Sequence, residues 1–102
     1  MIGVLVSGEG TNLQALIDAG LPIVAVASNR GDAPALGRAV AAGIPTATFE
    51  AADYASRDER DLALARWLTA QGVELAVLAG YMHILRPPFF EAFVGRVSEL
   101  IG

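Results

Sequence analysis

Gly8 and Gly10, followed at once by Thr11 and Asn12, form the first place in this chain where chemistry is expected. Glycine permits backbone angles closed to other residues and lets the main chain come close to a ligand. Thr11 or Asn12 is placed to cap a following helix, and the free amides of a helix start, backed by its dipole, favour an anion. The loop reads Gly-x-Gly-x-x-Leu and lacks the third glycine of the dinucleotide fingerprint, so the match alone is weak. Where a dinucleotide-binding chain would next place an acidic residue for the ribose, this one has Ser28-Asn29-Arg30. A phosphate fits this pattern better than NAD.

Two further residues stand out. Arg57 falls in the first turn of a predicted helix, where the dipole disfavours a cation. Either an i, i+4 pair with Asp61 holds it there, or an anionic ligand does. His83, the sole imidazole, lies in Ala-Gly-Tyr-Met-His-Ile-Leu. It is either a polar surface group or, given a positioned partner, a general base. Tyr81, Met82 and Phe89 read as packing residues, and Asp18, Asp58, Glu59 and Asp61 as solvated helix faces. With no cysteine and one histidine, disulfides, thiol chemistry and an ordinary zinc or iron centre are not expected. The net charge of −4 offers no basic face to nucleic acid.

Alternating strands and helices must position these residues. Ile2–Val6 is a short apolar run suited to a strand buried on both faces. Leu13, Leu16 and Ile17 make a helical stripe, and residues 23–27 a second strand. Asp32 is placed to cap a helix with Pro34 in its first turn, ended by Gly43 and Pro45. Residues 46–49 predict a third strand. The capping-box spacing from Ser56 to Glu59 opens a helix to Gln71 with Leu64, Trp67 and Leu68 on its apolar side. Residues 73–79 predict a fourth strand, and Pro87-Pro88 a last short helix to Gly95. This spacing implies an α/β, Rossmann-like parallel sheet with flanking helices. Its ligand end gathers residues 8–12, 28–32, 51–57 and 80–85. With 102 residues and a mean hydropathy of +0.50, the chain reads as one domain with a substantial core. No apolar run reaches the roughly 18 residues of a membrane span, and the N-terminus has no basic region, so a cytoplasmic location without membrane contact is expected.

Several stretches, taken in order, resemble phosphoribosylglycinamide formyltransferase. They are Val-Leu-Val-Ser-Gly-Glu-Gly-Thr-Asn-Leu-Gln-Ala-Leu-Ile-Asp, Ala-Ser-Asn-Arg, Ser-Arg-Asp and Val-Leu-Ala-Gly-Tyr-Met-His-Ile-Leu. The resemblance runs from Val4 to about Arg96. It implies that Gly10, Thr11 and Asn12 hold the phosphate of glycinamide ribonucleotide. It also implies that Arg57, Met82, His83, Ile84 and Leu85 line the site of the co-substrate, 10-formyltetrahydrofolate. Many relatives have Arg where His83 stands, which shifts the implied role there toward the backbone.

After Gly95-Arg96 the pattern departs. The family continues into a strand carrying Leu-Asn-Ile-His-Pro-Ser, and its Asn and His, with a later Asp, perform the transfer. Here Glu99 stands at the Asn and Ile101 at the His. The expectation is therefore a single truncated domain, family-like over 1–96 with a divergent tail over 97–102, without catalytic residues and inactive alone. The alternatives are a phosphate- or nucleotide-binding Rossmann module and a non-enzymatic, self-associating fragment. Truncation would leave the outer edge of the fourth strand unpaired beside Leu75, Val77, Leu78, Phe89, Phe90 and Phe93, which predicts a homodimer through that face.

Overall fold

The computed structural model describes residues 1–100. The apolar runs become β1 (Ile2–Val6), β2 (Ile23–Ser28), β3 (Thr46–Thr48) and β4 (Leu75–Leu78), and Arg96–Glu99 adds β5. Four helices link them: α1 (Thr11–Asp18), α2 (Pro34–Ala41), α3 (Arg57–Ala70) and α4 (Pro87–Ala92), with a 3-10 turn at Ala51–Asp53. Every strand pairing is parallel, in the order β3-β2-β1-β4-β5. This is the Rossmann-like arrangement that the alternating pattern predicts.

Successive residues of a strand point to opposite faces, so β1 feeds two cores. Val4 and Val6 pack with Leu13 of α1 and with Ala35 and Ala39 of α2. Leu5 belongs to the other layer, with Leu64, Ala65 and Leu68 of α3 and with Phe89 and Phe93. A strand covered by helices on both sides must be apolar throughout, which is why β1 shows no alternation. The chain moves outward from β1 through β2 to β3; α3 then returns it to β4 on the far side of β1. Ligands of open parallel sheets bind at such a reversal, beyond the carboxyl ends of the strands.

Two caps differ from expectation. Neither Thr11 nor Asn12 caps α1: the N-cap is Gly10, at φ 81°, with no side-chain cap bond. The N-cap of α2 is Ala33 rather than Asp32. The one amide that Asp32 would have served, that of Ala35, is taken by Gly8 O at 3.0 Å. Asp32 instead accepts from Arg30 Nε and Nη2 at 3.1 and 3.2 Å. The Ser56 cap forms as the spacing predicts, its hydroxyl accepting from Glu59 N–H at 3.1 Å.

The largest correction concerns the edge of β4. It is not unpaired: β5 runs beside it in register from Leu75↔Arg96 to Leu78↔Glu99. Arg96 N–H donates to Glu74 O at 2.8 Å, and a Cβ on Gly95 would fall on that same carbonyl, so only glycine fits the turn into β5. Strand pairing is made by the backbone, and an edge strand tolerates the polar and charged side chains of Ser98 and Glu99. Of the residues expected to be bare, Val77, Phe89 and Phe93 are buried and Leu75 and Leu78 half-buried; Phe90 remains exposed. Ile101, in the expected divergent tail, lies outside the described residues. Among the described residues, no helix is long and apolar enough to cross a membrane.

Candidate functional site

The glycine loop meets the reversal point directly. The first backbone bond of α1 runs from Gln14 N–H to Gly10 O at 2.8 Å, so the amides of Thr11, Asn12 and Leu13 have no acceptor within the helix. Residues 8–12 line a cavity of about 150 Å³ with Ala79 and Gly80 at the end of β4. Helix α2 braces this loop. Besides the Ala35 bond to Gly8 O, Arg38 Nε donates to Glu9 O at 2.7 Å. Gly10 is required twice, by its positive φ and because a Cβ there would lie 2.6 Å from Ala35 Cβ.

A second, larger cleft of about 510 Å³ opens one residue further along the loop after β4. Its walls are Tyr81, Met82, His83, Ile84 and Leu85, Phe90 of α4, Leu78 of β4, and Val97 and Glu99 of β5. Met82 and Ile84 are 77% and 84% exposed, so neither is the packing residue that Met82 was expected to be. Tyr81 is half-buried, and burial pushes its hydroxyl pKa up. Arg57 does not line the cleft. Its side chain stands exposed at the head of α3 and makes no hydrogen bond or ion pair among the described residues.

Beneath both openings runs a polar network that ties β1, β2, α3 and the loop after β4 together. Ser7 Oγ accepts from Met82 N–H at 2.8 Å and donates to Asn29 Oδ1 at 2.5 Å, and Asn29 Nδ2 lies 3.3 Å from His83 Nε2. His83 Nδ1 lies 3.0 Å from Arg60 Nη1. Arg60 also donates to Phe49 O at 3.2 Å and, through Nε, to Asp61 Oδ1 at 2.6 Å. The other Asp61 oxygen accepts Arg86 N–H at 2.6 Å, and Arg86 Nε reaches Asp58 at 2.8 Å. Arg60 and Asp61 are both fully buried.

The chain matches the formyl transferase family model over residues 1–99. The chain belongs to the formyl transferase family. It is 45% identical to phosphoribosylglycinamide formyltransferase of Haemophilus influenzae and 42% identical to that of Escherichia coli. Each comparison covers 97% of this chain and 50% of the relative. Among solved structures, glycinamide ribonucleotide transformylase 1 of Symbiobacterium toebii superimposes with a TM-score of 0.86 at 46% identity, over 94% of this chain and 48% of that one. The chain thus spans about half the length of these two curated relatives.

In this formyl transferase chain, Gly10, Thr11 and Asn12 gather at the smaller cavity and Met82, His83, Ile84 and Leu85 at the larger cleft, with Arg57 outside both. Two expectations fail on α3. Asp61 is not a solvated face, and it does not pair with Arg57. It lies three and seven residues before Leu64 and Leu68, on their side of the helix, and that spacing was the signal for its burial. Ser7 and Arg60 escaped sequence reasoning, because a single polar residue at a strand end or in a helix carries no pattern; Asn29 falls within the predicted ligand end, residues 28–32, but without its partners.

Proposed function

We propose that this chain supplies the phosphate-loop half of the enzyme that transfers a formyl group from 10-formyltetrahydrofolate to glycinamide ribonucleotide in purine biosynthesis, at work in the cytoplasm. The observation that carries this reading is the pairing of two sites: unpaired amides at the start of α1 open onto one cavity, and residues 82–85 wall the next. Gly10, Thr11 and Asn12 take the phosphate, where a helix N-terminus is a ready anion site. The larger cleft has the volume of a small-ligand site and apolar walls at Leu78, Leu85 and Val97 that suit a flat pterin. Arg57 offers its guanidinium to the carboxylates of the folate tail. Against a dinucleotide, Asn29 stands where the ribose acid would, and it is buried and committed to the network below.

Isothermal calorimetry with glycinamide ribonucleotide, NAD and ATP tests the reading. Saturable binding of glycinamide ribonucleotide is expected, weakened at least tenfold in Gly10→Ala, whose backbone would carry about 1–3 kcal/mol of strain. Binding of NAD alone would overturn the reading.

We further propose that the chain forms a homodimer with twofold symmetry. Because β5 covers β4, the face lies further out than the sequence suggests, at the outer edge of β5 with Phe90 (54% exposed) and Val94 (94% exposed). Sedimentation at micromolar concentration should show a dimer for the wild type and a monomer for Phe90→Glu; a wild-type monomer refutes self-association.

A further inference from the structure

Both ring nitrogens of His83 face groups that carry hydrogens, Asn29 Nδ2 at Nε2 and Arg60 Nη1 at Nδ1. A neutral imidazole has one N–H and one acceptor, whereas a guanidinium only donates. Nδ1 must therefore be the acceptor, and the ring hydrogen sits on Nε2, pointing at Asn29. A half-turn of the Asn29 amide, which exchanges its oxygen and nitrogen in place, then gives the Nε2–H an acceptor. Arg60 donates to His83, His83 Nε2–H donates to the Asn29 oxygen, and the Asn29 NH₂ faces Ser7 Oγ, whose 2.5 Å contact with the amide must lengthen to about 2.9 Å for an N–H···O bond. Ser7 Oγ uses its second lone pair for Met82 N–H at 2.8 Å. With the amide the other way round, Nδ1 would carry its hydrogen against the Arg60 N–H.

We propose that Arg60 is a positioning residue: it holds His83 as the neutral Nε2–H tautomer, and through Asn29 and Ser7 this seats residues 82–85 at the wall of the larger cleft. The assignment of the hydrogens stands on geometry alone; its bearing on folate rests on the function proposed above. The charged and titratable groups around His83 are Arg60, Arg57 and Asp61 of α3 and Tyr81 of its own loop, while the residues that follow β1 and β2, Ser7 and Asn29, are uncharged. Asp61 is committed to Arg60 and Arg86 N–H. Protonation of His83 would place a hydrogen on Nδ1 against Arg60, so acid should unseat the loop. Burial first, and then Arg60 and Arg57, hold its pKa below the ordinary 6.5. The unfolded chain gains this proton before the folded one, so the stability involved is complete above pH 6.5 and is lost as the pH falls toward the depressed folded value.

With one histidine in the chain, nitrogen-detected NMR of the 102-residue protein reads this site without ambiguity. The expected result at pH 7 is a single neutral tautomer with its hydrogen on Nε2. A hydrogen on Nδ1, a tautomer mixture or a charged ring overturns the assignment on the wild type alone. The double variant Arg60→Met with Asp61→Asn, which leaves no lone buried charge, should give mixed tautomers, a raised titration midpoint and a shifted Met82 amide signal. If tautomer and Met82 signal both stay unchanged, Arg60 does not position this loop. Calorimetry with 10-formyltetrahydrofolate is read separately: absence of binding to the wild type with the tautomer intact refutes the functional reading and not the hydrogen-bond assignment.

Discussion

Replacing Asp61 with alanine is expected to cost about 3–5 kcal/mol of folding stability, because it leaves the Arg60 guanidinium buried without its counter-ion. Both side chains are at 0% exposure, and the Nε to Oδ1 distance is 2.6 Å. The same change removes the acceptor of Arg86 N–H, a partly buried donor. Urea unfolding of wild type, Asp61→Ala and the double change Arg60→Met with Asp61→Leu checks this. The double variant should recover most of the loss, since two apolar groups of similar volume can replace a buried pair at little cost while half a pair cannot. An Asp61→Ala loss below about 1 kcal/mol, the value of a surface pair, would show that water reaches Arg60.

The purified 102-residue protein is expected to give no detectable transfer of formyl from 10-formyltetrahydrofolate to glycinamide ribonucleotide. Glu99 closes β5 opposite Leu78 and lines the larger cleft, at the position where the family resemblance implies an asparagine. An asparagine amide donates a hydrogen bond to the oxyanion of acyl transfer. A carboxylate accepts only, and its charge repels that oxyanion. Loss of one such donor costs about 10²–10³ in rate, and the carboxylate adds repulsion to that. Product formed above the uncatalysed rate would refute the prediction. The electrostatic argument has its own check: glutamate introduced at the corresponding position of a full-length relative should lower its turnover by about 10² or more.

Local rules accounted for much of this protein. Apolar runs of strand length, separated by helical stripes and by stops such as Gly43 and Pro45, were enough to predict a parallel α/β sheet, because strands buried on both faces carry no polar residues. The Ser56 cap and the glycine loop were legible for the same reason, each being chemistry between residues a few positions apart. What tertiary structure alone decided were partnerships across long stretches of chain. β5 exists because β4 offers it a backbone edge and Gly95 lets the chain turn against Glu74, although the side chains of Ser98 and Glu99 do not read as a strand. Asp32 lost its cap when Gly8, 27 residues earlier than Ala35, claimed the amide of Ala35. His83 became a member of a network rather than a surface group because the sheet order brings the ends of β1 and β2 under the loop after β4, and α3 lays Arg60 against it. The burial of Arg60 and Asp61 follows from that packing, which supplies each with its counter-charge and with hydrogen bonds at every side-chain polar atom but Arg60 Nη2.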